Sequence, residues 1–260
     1  MEPTGSLDQL AAGLDPEWQV AVGKWFGLPC LKVGGKVFAA EWQGGIAFKL
    51  AGEAHAQALQ IEGAQLFNPR GRGQPMRAWV QLPASRSDRW GRFAGLACAH
   101  VAGAAQARKD ELIQGLVEAR AQVIAAAVAL PPEAWDEIFL GHWSIKDLLG
   151  HLVGWDHTNR EAVQQILAGQ RPDFWAHYDR DWQSYNALLV ARHRLENVDE
   201  LLASLVASHR QLVNFLRSLP ADAFVKQRRI TTLLRAETQD EHVHAGQVLC
   251  FLGHNAGRSA

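Results

Sequence analysis

The chain has 260 residues and a mass of 28.7 kDa, of which 48% are hydrophobic and 20% charged, a balance that supports real cores and argues against a disordered or fibrous chain. A net charge of -1 provides no overall field to gather nucleic acid, and three widely spaced cysteines with no C-x-x-C pair argue against a disulfide framework or a thiolate zinc site. The length exceeds what one compact core usually needs, so two domains are expected.

The opening residues MEPTGSLDQL have neither a basic start nor an apolar centre, and the longest apolar run, Val123 to Leu130, is too short to cross a bilayer. A reducing, cytoplasmic setting with no membrane partner is the expectation. Asp15-Pro16-Glu17 supplies an N-cap, a proline at the first helical position and an early acid, which predicts a helix ending near Gly27. In LKVGGKVFAAEWQGGIAFKL (31–50) short strand-like segments are separated by Gly34-Gly35 and Gly44-Gly45. Glycine accepts the positive φ of tight hairpin turns, so the run predicts a three-stranded antiparallel meander. Cys30, at the start of a strand, reads as a buried small residue, since no nearby charge lowers its pKa. A helix over 53–62, a loop over 68–75 (NPRGRGQP), a strand over 76–82 and a helix over 85–101 complete an α+β domain at 1–104.

After Ala102-Gly103-Ala104 the patterning becomes helix-only, giving a second domain at 105–260. An Ala-rich helix over 109–130 ends at Pro131-Pro132. Ser144-Ile-Lys-Asp147 matches a capping box and opens a helix to about Ala168, where Gly169 and Pro172 stop it. Asn197-Val-Asp-Glu200 opens another helix that ends before Pro220, and a last helix covers about 232–252. Four long helices without strands predict an all-α four-helix bundle.

The richest ligand cluster lies on the last helix, where Glu237, Asp240, His244 and Gln247 share one face. Asp240 and His244, one turn apart, are placed to clasp a single metal, with His151 of the capped helix as a third ligand if the two helices adjoin. Two imidazoles and a carboxylate suit a divalent transition metal and leave positions open for water or substrate. Glu237 and Glu241 are the candidates for orienting a ligand or accepting a proton. On spacing alone the commoner reading is a solvated helical face. His242 and His157, offset from these ligands, read as structural or exposed. Trp143, Trp155, Trp175, Trp182 and Tyr185 read either as pocket lining or, more commonly, as core packing, and His177 with Asp179 to Asp181 as a segment over the bundle mouth.

Three segments, WSIKDLLGHLVGWDH (143–157), YDRDWQSYNALL (178–189) and LLRAETQDEHVHAGQV (233–248), resemble the DinB-like family of metal-binding four-helix bundles, over about 107–254. That family includes thiol-dependent transferases and isomerases and the self-protection proteins related to ClbS and DfsB. The resemblance implies a divalent metal, often nickel or zinc, held by one His on the second helix and an H-x-x-x-H pair on the last; for this chain iron is a third option. Carried over by position, these are His151, Asp240 and His244, with Asp240 standing where the family has His. In the first half, GKWFGLPCLKVGGKVFAAEW (23–42) and GGIAFKL (44–50) are similar to the TfoX N-terminal domain and to YjbR (MmcQ)-like proteins, over about 15–103. That resemblance implies no catalytic residues and a contact with DNA through Arg70, Arg72, Arg77, Arg86, Arg89 and Arg92, for which a solvated basic face is the stronger reading.

The expectation is a metal-dependent small-molecule enzyme of hydrolase or thiol-dependent transferase type, with a small-molecule substrate, a low-molecular-weight thiol among the candidates, and a homodimer as a further option. The alternative is a non-enzymatic regulatory or ligand- or DNA-interaction protein whose metal site is degenerate.

Overall fold

The computed structural model describes residues 7–69, 71 and 73–256, and its contacts divide the chain into two compact units, Met1–Arg108 and Lys109–Ala260. No helix among the described residues is long and apolar enough to cross a membrane.

The first unit opens with α1 (Leu7–Ala12) and a single 3-10 turn at Pro16–Trp18. The Asp15 side chain accepts from Glu17 N at 3.0 Å, as expected of an N-cap, but the helix predicted to reach Gly27 stops after that turn. Gln19 is left-handed (φ 46°), and the chain then runs as β1 (Ala21–Trp25). Valine and tryptophan favour a strand there, and Phe26-Gly27, both at positive φ, turn it into β2 (Leu28–Val33). The expected meander follows as β2, β3 (Lys36–Trp42) and β4 (Gly45–Lys49), antiparallel throughout. Its first turn is Gly34-Gly35, but its second is Gln43-Gly44. Gly45 belongs to the strand, where a Cβ would sit 2.4 Å from the Leu82 carbonyl oxygen, so its glycine serves close backbone approach.

After α2 (Gly52–Leu59), β5 (Gln65–Leu66) and β6 (Trp79–Leu82) complete a six-stranded sheet in the order β1-β2-β3-β4-β6-β5. One face, including Phe38, Ile46, Phe48 and Val80, packs on Phe93, Ala97 and Cys98 of α3 (Trp90–Val128). The helices expected over 85–101 and 109–130 are this one element. Gly103 is the sole glycine at the supposed break and costs a helix only about 1 kcal/mol, too little to interrupt it. The division between units therefore falls within α3. Cys30 is fully buried, as read from the sequence, and burial pushes its thiol pKa up, although Lys32 supplies the nearby lowering charge that the sequence reading did not expect.

In the second unit the four long helices are α3 from Lys109 onward, α4 (Ile145–Leu167), α7 (Val198–Ser218) and α9 (Arg228–Ala256). Both predicted capping boxes, Ser144 with Asp147 and Asn197 with Glu200, are formed. A short hairpin, β7 (Ile138–Leu140) and β8 (Trp143–Ser144), interrupts the helix-only pattern, turning at Gly141 (φ 61°). Three short helices also join the bundle: α5 (Phe174–Tyr178), α6 (Trp182–Ala191) and α8 (Ala223–Lys226).

The bundle core is layered. One apolar cluster contains Val123 of α3, Leu152 of α4, Leu205 of α7 and Val248 of α9. A second contains Leu116, Val163, Leu212 and Leu234 from the same four helices. Along each helix the residues between these two clusters are polar and buried: Arg120, Asp156 and Asn159, Ser208 and His209, and Glu237, Glu241 and His244. This polar layer is where the chemistry sits.

Candidate metal centre

The helix starts decide which side chains enter the layer. Ser144 Oγ accepts from Asp147 N at 3.2 Å and the Asp147 carboxylate accepts from Ser144 N at 3.0 Å, which fixes where α4 begins and places His151 two turns inside it. Asp240 and His244 lie one turn apart on α9 and face the same way. His151 is 3% exposed, His244 is 8% exposed and Asp240 is open to solvent, so the trio has two dry donors and one wet side.

One ligand-type atom from each of His151, Asp240 and His244 lies within 4.8 Å of the other two, and His244 Nε2 is 3.5 Å from Asp240 Oδ2. Nitrogen and oxygen ligands at about 2.0–2.2 Å from one ion stand about 3–3.5 Å apart, so small side-chain movements suffice to close the site. At His151 protonation agrees with that use. Burial, reinforced by His244, pushes the His151 pKa down to about 3 although Asp240 pulls the other way, so its imidazole is neutral and free to donate a lone pair. Its Nδ1 is buried with no hydrogen-bond partner among the described residues, a vacancy that a ligand bond or a proton acceptor would fill. His244 Nδ1 donates to Gln247 Oε1 at 2.8 Å, leaving Nε2 as the atom that faces Asp240. For His244, burial lowers the pKa but hydrogen bonds to Asp240 and Gln247 outweigh it. For Asp240 the His244 hydrogen bond lowers the pKa against the effect of burial. Trp143 and Trp155 shield His151, at ring-centroid distances of 4.8 and 6.2 Å.

A second trio, Asp156, His209 and Glu241, has the same spacing but is already filled. Arg120 NH1 and NH2 donate to Asp156 at 2.8 and 3.2 Å, and its Nε and NH2 donate to Glu241 at 3.1 and 2.7 Å. Burial disfavours the guanidinium charge, but the two carboxylates outweigh it and hold its pKa above the ordinary value. Ser208 Oγ donates to Asp156 at 2.6 Å, and His209 Nδ1 lies 3.4 Å from the other oxygen. The cation this trio requires is thus the protein's own. Nothing in the sequence reading anticipated Arg120, although a lone arginine in an Ala-rich helix was the available signal.

The two glutamates named from the sequence have different surroundings. Glu241 is wholly buried and both its oxygens accept from Arg120, which ties it to the ion pair. Glu237 lines a cavity of about 620 Å³ that Asp240 also lines, so cavity and metal-ligand trio meet at Asp240. Burial, with the Glu241 and Asp156 charges behind it, pushes the Glu237 pKa up to about 8, so this carboxyl is protonated near neutral pH. The amide of Asn159 stands beside it and tempers the rise, but in no geometry that completes a hydrogen bond: both its Oδ1 and its Nδ2 are buried and unpartnered among the described residues.

Aromatic side chains form the opposite wall. Trp155 packs edge-on against Phe174 (5.4 Å) and Tyr178 (5.6 Å), and its Nε1 donates to Asn186 Oδ1 at 3.2 Å. Trp155 and Trp175 line the cavity, Tyr185 packs behind Trp155 at 5.7 Å, Trp143 packs on His151, and Trp182 is exposed. In the segment expected over the bundle mouth, Asp179 lines the cavity while Asp181 caps α6 by accepting from Ser184 N. His242 points away to Gln122 Oε1 at 3.1 Å, and His157 is half-buried outside the trio.

A family model described as the DinB superfamily matches residues 115–256. No curated protein and no solved structure matches the chain.

Proposed function

The chain belongs to the DinB superfamily, whose members often bind metal, and from that premise we propose that its bundle is a metal-dependent small-molecule enzyme of hydrolase or thiol-dependent transferase type. The observation that carries this reading is the convergence of His151, Asp240 and His244 beside a cavity that shares Asp240 with them. A divalent nickel, zinc or iron ion there would acidify a water molecule or hold a cosubstrate thiol as thiolate. The chain's own groups supply the rest. Gln247 orients His244, Trp143 and Trp155 keep water from His151, and Glu237 offers a proton from its neutral carboxyl to a molecule in the cavity.

The test is metal content of the full chain, purified without a metal-affinity tag. About one ion per chain is expected, retained through gel filtration and lost in His151→Ala and His244→Ala while the helical circular dichroism persists. Wild-type protein that takes up no nickel, zinc or iron on incubation would leave the enzymatic reading without a basis.

For residues 1–104 we propose a TfoX N-terminal/YjbR-like domain in a cytoplasmic protein, a reading supported by the antiparallel sheet and the free cysteines. A DNA contact there has less support. Arg70 and Arg72 lie outside the described residues, and Arg86 and Arg92 are engaged by Glu62 and Gln57.

A further inference from the structure

The cavity's charge pattern defines a ligand class. Seven of its lining residues come from a single stripe of α9 that begins at Arg228 and Arg229 and ends at Asp240. Asp240 lies twelve positions after Arg228, which at 1.5 Å per position makes the stripe about 18 Å long. The arginines stand at one end and the metal-ligand trio at the other.

The charges along this path are unequal. Burial favours the neutral form of Glu237, and Asp179 is compensated by Arg171 at 2.8 Å. Among the described residues, neither Arg228 nor Arg229 has a carboxylate partner. Arg229 instead lies over the Trp175 ring at 5.9 Å. Both guanidiniums occupy the first turn of α9, where the helix dipole is already positive, so positive charge is concentrated at this end. Between this end and Asp240 the wall is aromatic, made by Trp155, Phe174, Trp175 and Tyr178. Asn159, 0% exposed with both amide atoms unpartnered among the described residues, offers one donor and one acceptor to whatever fills the space. A cationic guest suits these surroundings poorly, since Arg171 and Arg229 already lie against Trp175.

We infer that the cavity takes an elongated organic anion with a flat apolar body, its acidic group on Arg228 and Arg229 and its reacting end at Asp240. This deepens the enzymatic reading, since the reacting end needs the metal-ligand trio, but the arginine subsite does not.

Naphthalene-2-sulfonate and its neutral counterpart naphthalene-2-sulfonamide separate the two, because a sulfonate is a weak metal ligand. Binding of each to the full chain, stripped of metal with EDTA, is followed by calorimetry. The sulfonate is expected to bind about tenfold more tightly than the sulfonamide, with the preference lost in Arg228→Gln/Arg229→Gln and retained in His151→Ala. Equal binding of the two probes, a preference that survives the double arginine change, or no binding by either at about 1 mM would each overturn the inference. Both arginines are exposed, so their replacement leaves the core intact, and the EDTA-treated wild type gives the metal-free result even if His151→Ala fails to fold. A charge preference in a chain that binds no metal would sink the enzymatic reading and leave the anion subsite standing.

Discussion

His244 Nδ1 donates to Gln247 Oε1, three residues further along the same helix, and this one bond selects which imidazole nitrogen faces Asp240. Gln247 also fixes the ring orientation, a role that partners of metal-bound histidines commonly have. Gln247→Ala is therefore expected to weaken metal affinity by about 10- to 100-fold with no change in thermal stability of the metal-free chain. Competition with a chromophoric chelator measures the affinity, and an unchanged constant would show that the bond is incidental.

Asp240 stands where the resemblance to DinB-like proteins has histidine. Its carboxylate gives a harder, more exposed ligand than imidazole, so Asp240→His should tighten nickel and zinc relative to manganese, whereas Asp240→Ala should release the ion. If Asp240→His and Asp240→Ala bind nickel equally, position 240 is not a ligand.

Arg120 balances two buried carboxylates on two different helices. Removing one partner of such a group leaves uncompensated charge in the interior, so Arg120→Ala should cost about 3–5 kcal/mol in urea denaturation. Adding Asp156→Asn and Glu241→Gln to Arg120→Ala removes that charge, and the triple variant should recover part of the loss. A triple variant no more stable than the single one would mean that packing, not charge, sets the cost.

Ionisation of Glu237 opposes folding. Its pKa rises from 4.5 to about 8 on folding, so its contribution to stability is full below pH 4.5 and is lost as the pH climbs towards 8. Glu237→Gln keeps the shape and removes the ionisation. The variant should match the wild type near pH 4.5 and exceed it by roughly 3 kcal/mol at pH 7. Urea midpoints across this range decide the matter: a constant gap between the two proteins means that Glu237 is ionised in the fold.

Gly154, on the turn of α4 that follows His151, leaves room for α6. A Cβ there would lie 2.6 Å from Leu189 Cβ, and neither group can swing aside. Gly154→Ala should destabilise the bundle by about 1–3 kcal/mol through overpacking, with α6 displaced. Unchanged melting would show that α6 yields freely.

Much of this was legible in the residues, and what was not has physical reasons. Capping boxes, paired glycines and prolines are local signals, and they marked α4, α7 and the meander because a cap or a tight turn is decided within a few residues. The helix expected to reach Gly27 carried a genuine N-cap, but sheet pairing with β2 took the residues after Gln19. One helix was read as two because a composition change was mistaken for a break. His151, Asp240 and His244 were found by helical spacing together with resemblance. The Arg120 pairing was missed because it joins residues 36 and 121 positions apart, and helical periodicity does not report which helices face one another. The interruption of each apolar stripe by polar residues at one level was nevertheless visible: Arg120, Asp156, Ser208 with His209, and Glu237 with Glu241.

The reciprocal bonds between Ser144 and Asp147 make tolerance of length changes uneven along the chain. Residues gained or lost before Ser144 fall in the turn at Gly141 and leave the geometry downstream as it was. One residue inserted between Ser144 and His151 rotates the imidazole by about 100° around the axis of α4 and out of reach of its partners. Natural variation in this chain's relatives should therefore accumulate insertions and deletions on the hairpin side of that serine and exclude them from the seven residues that follow it.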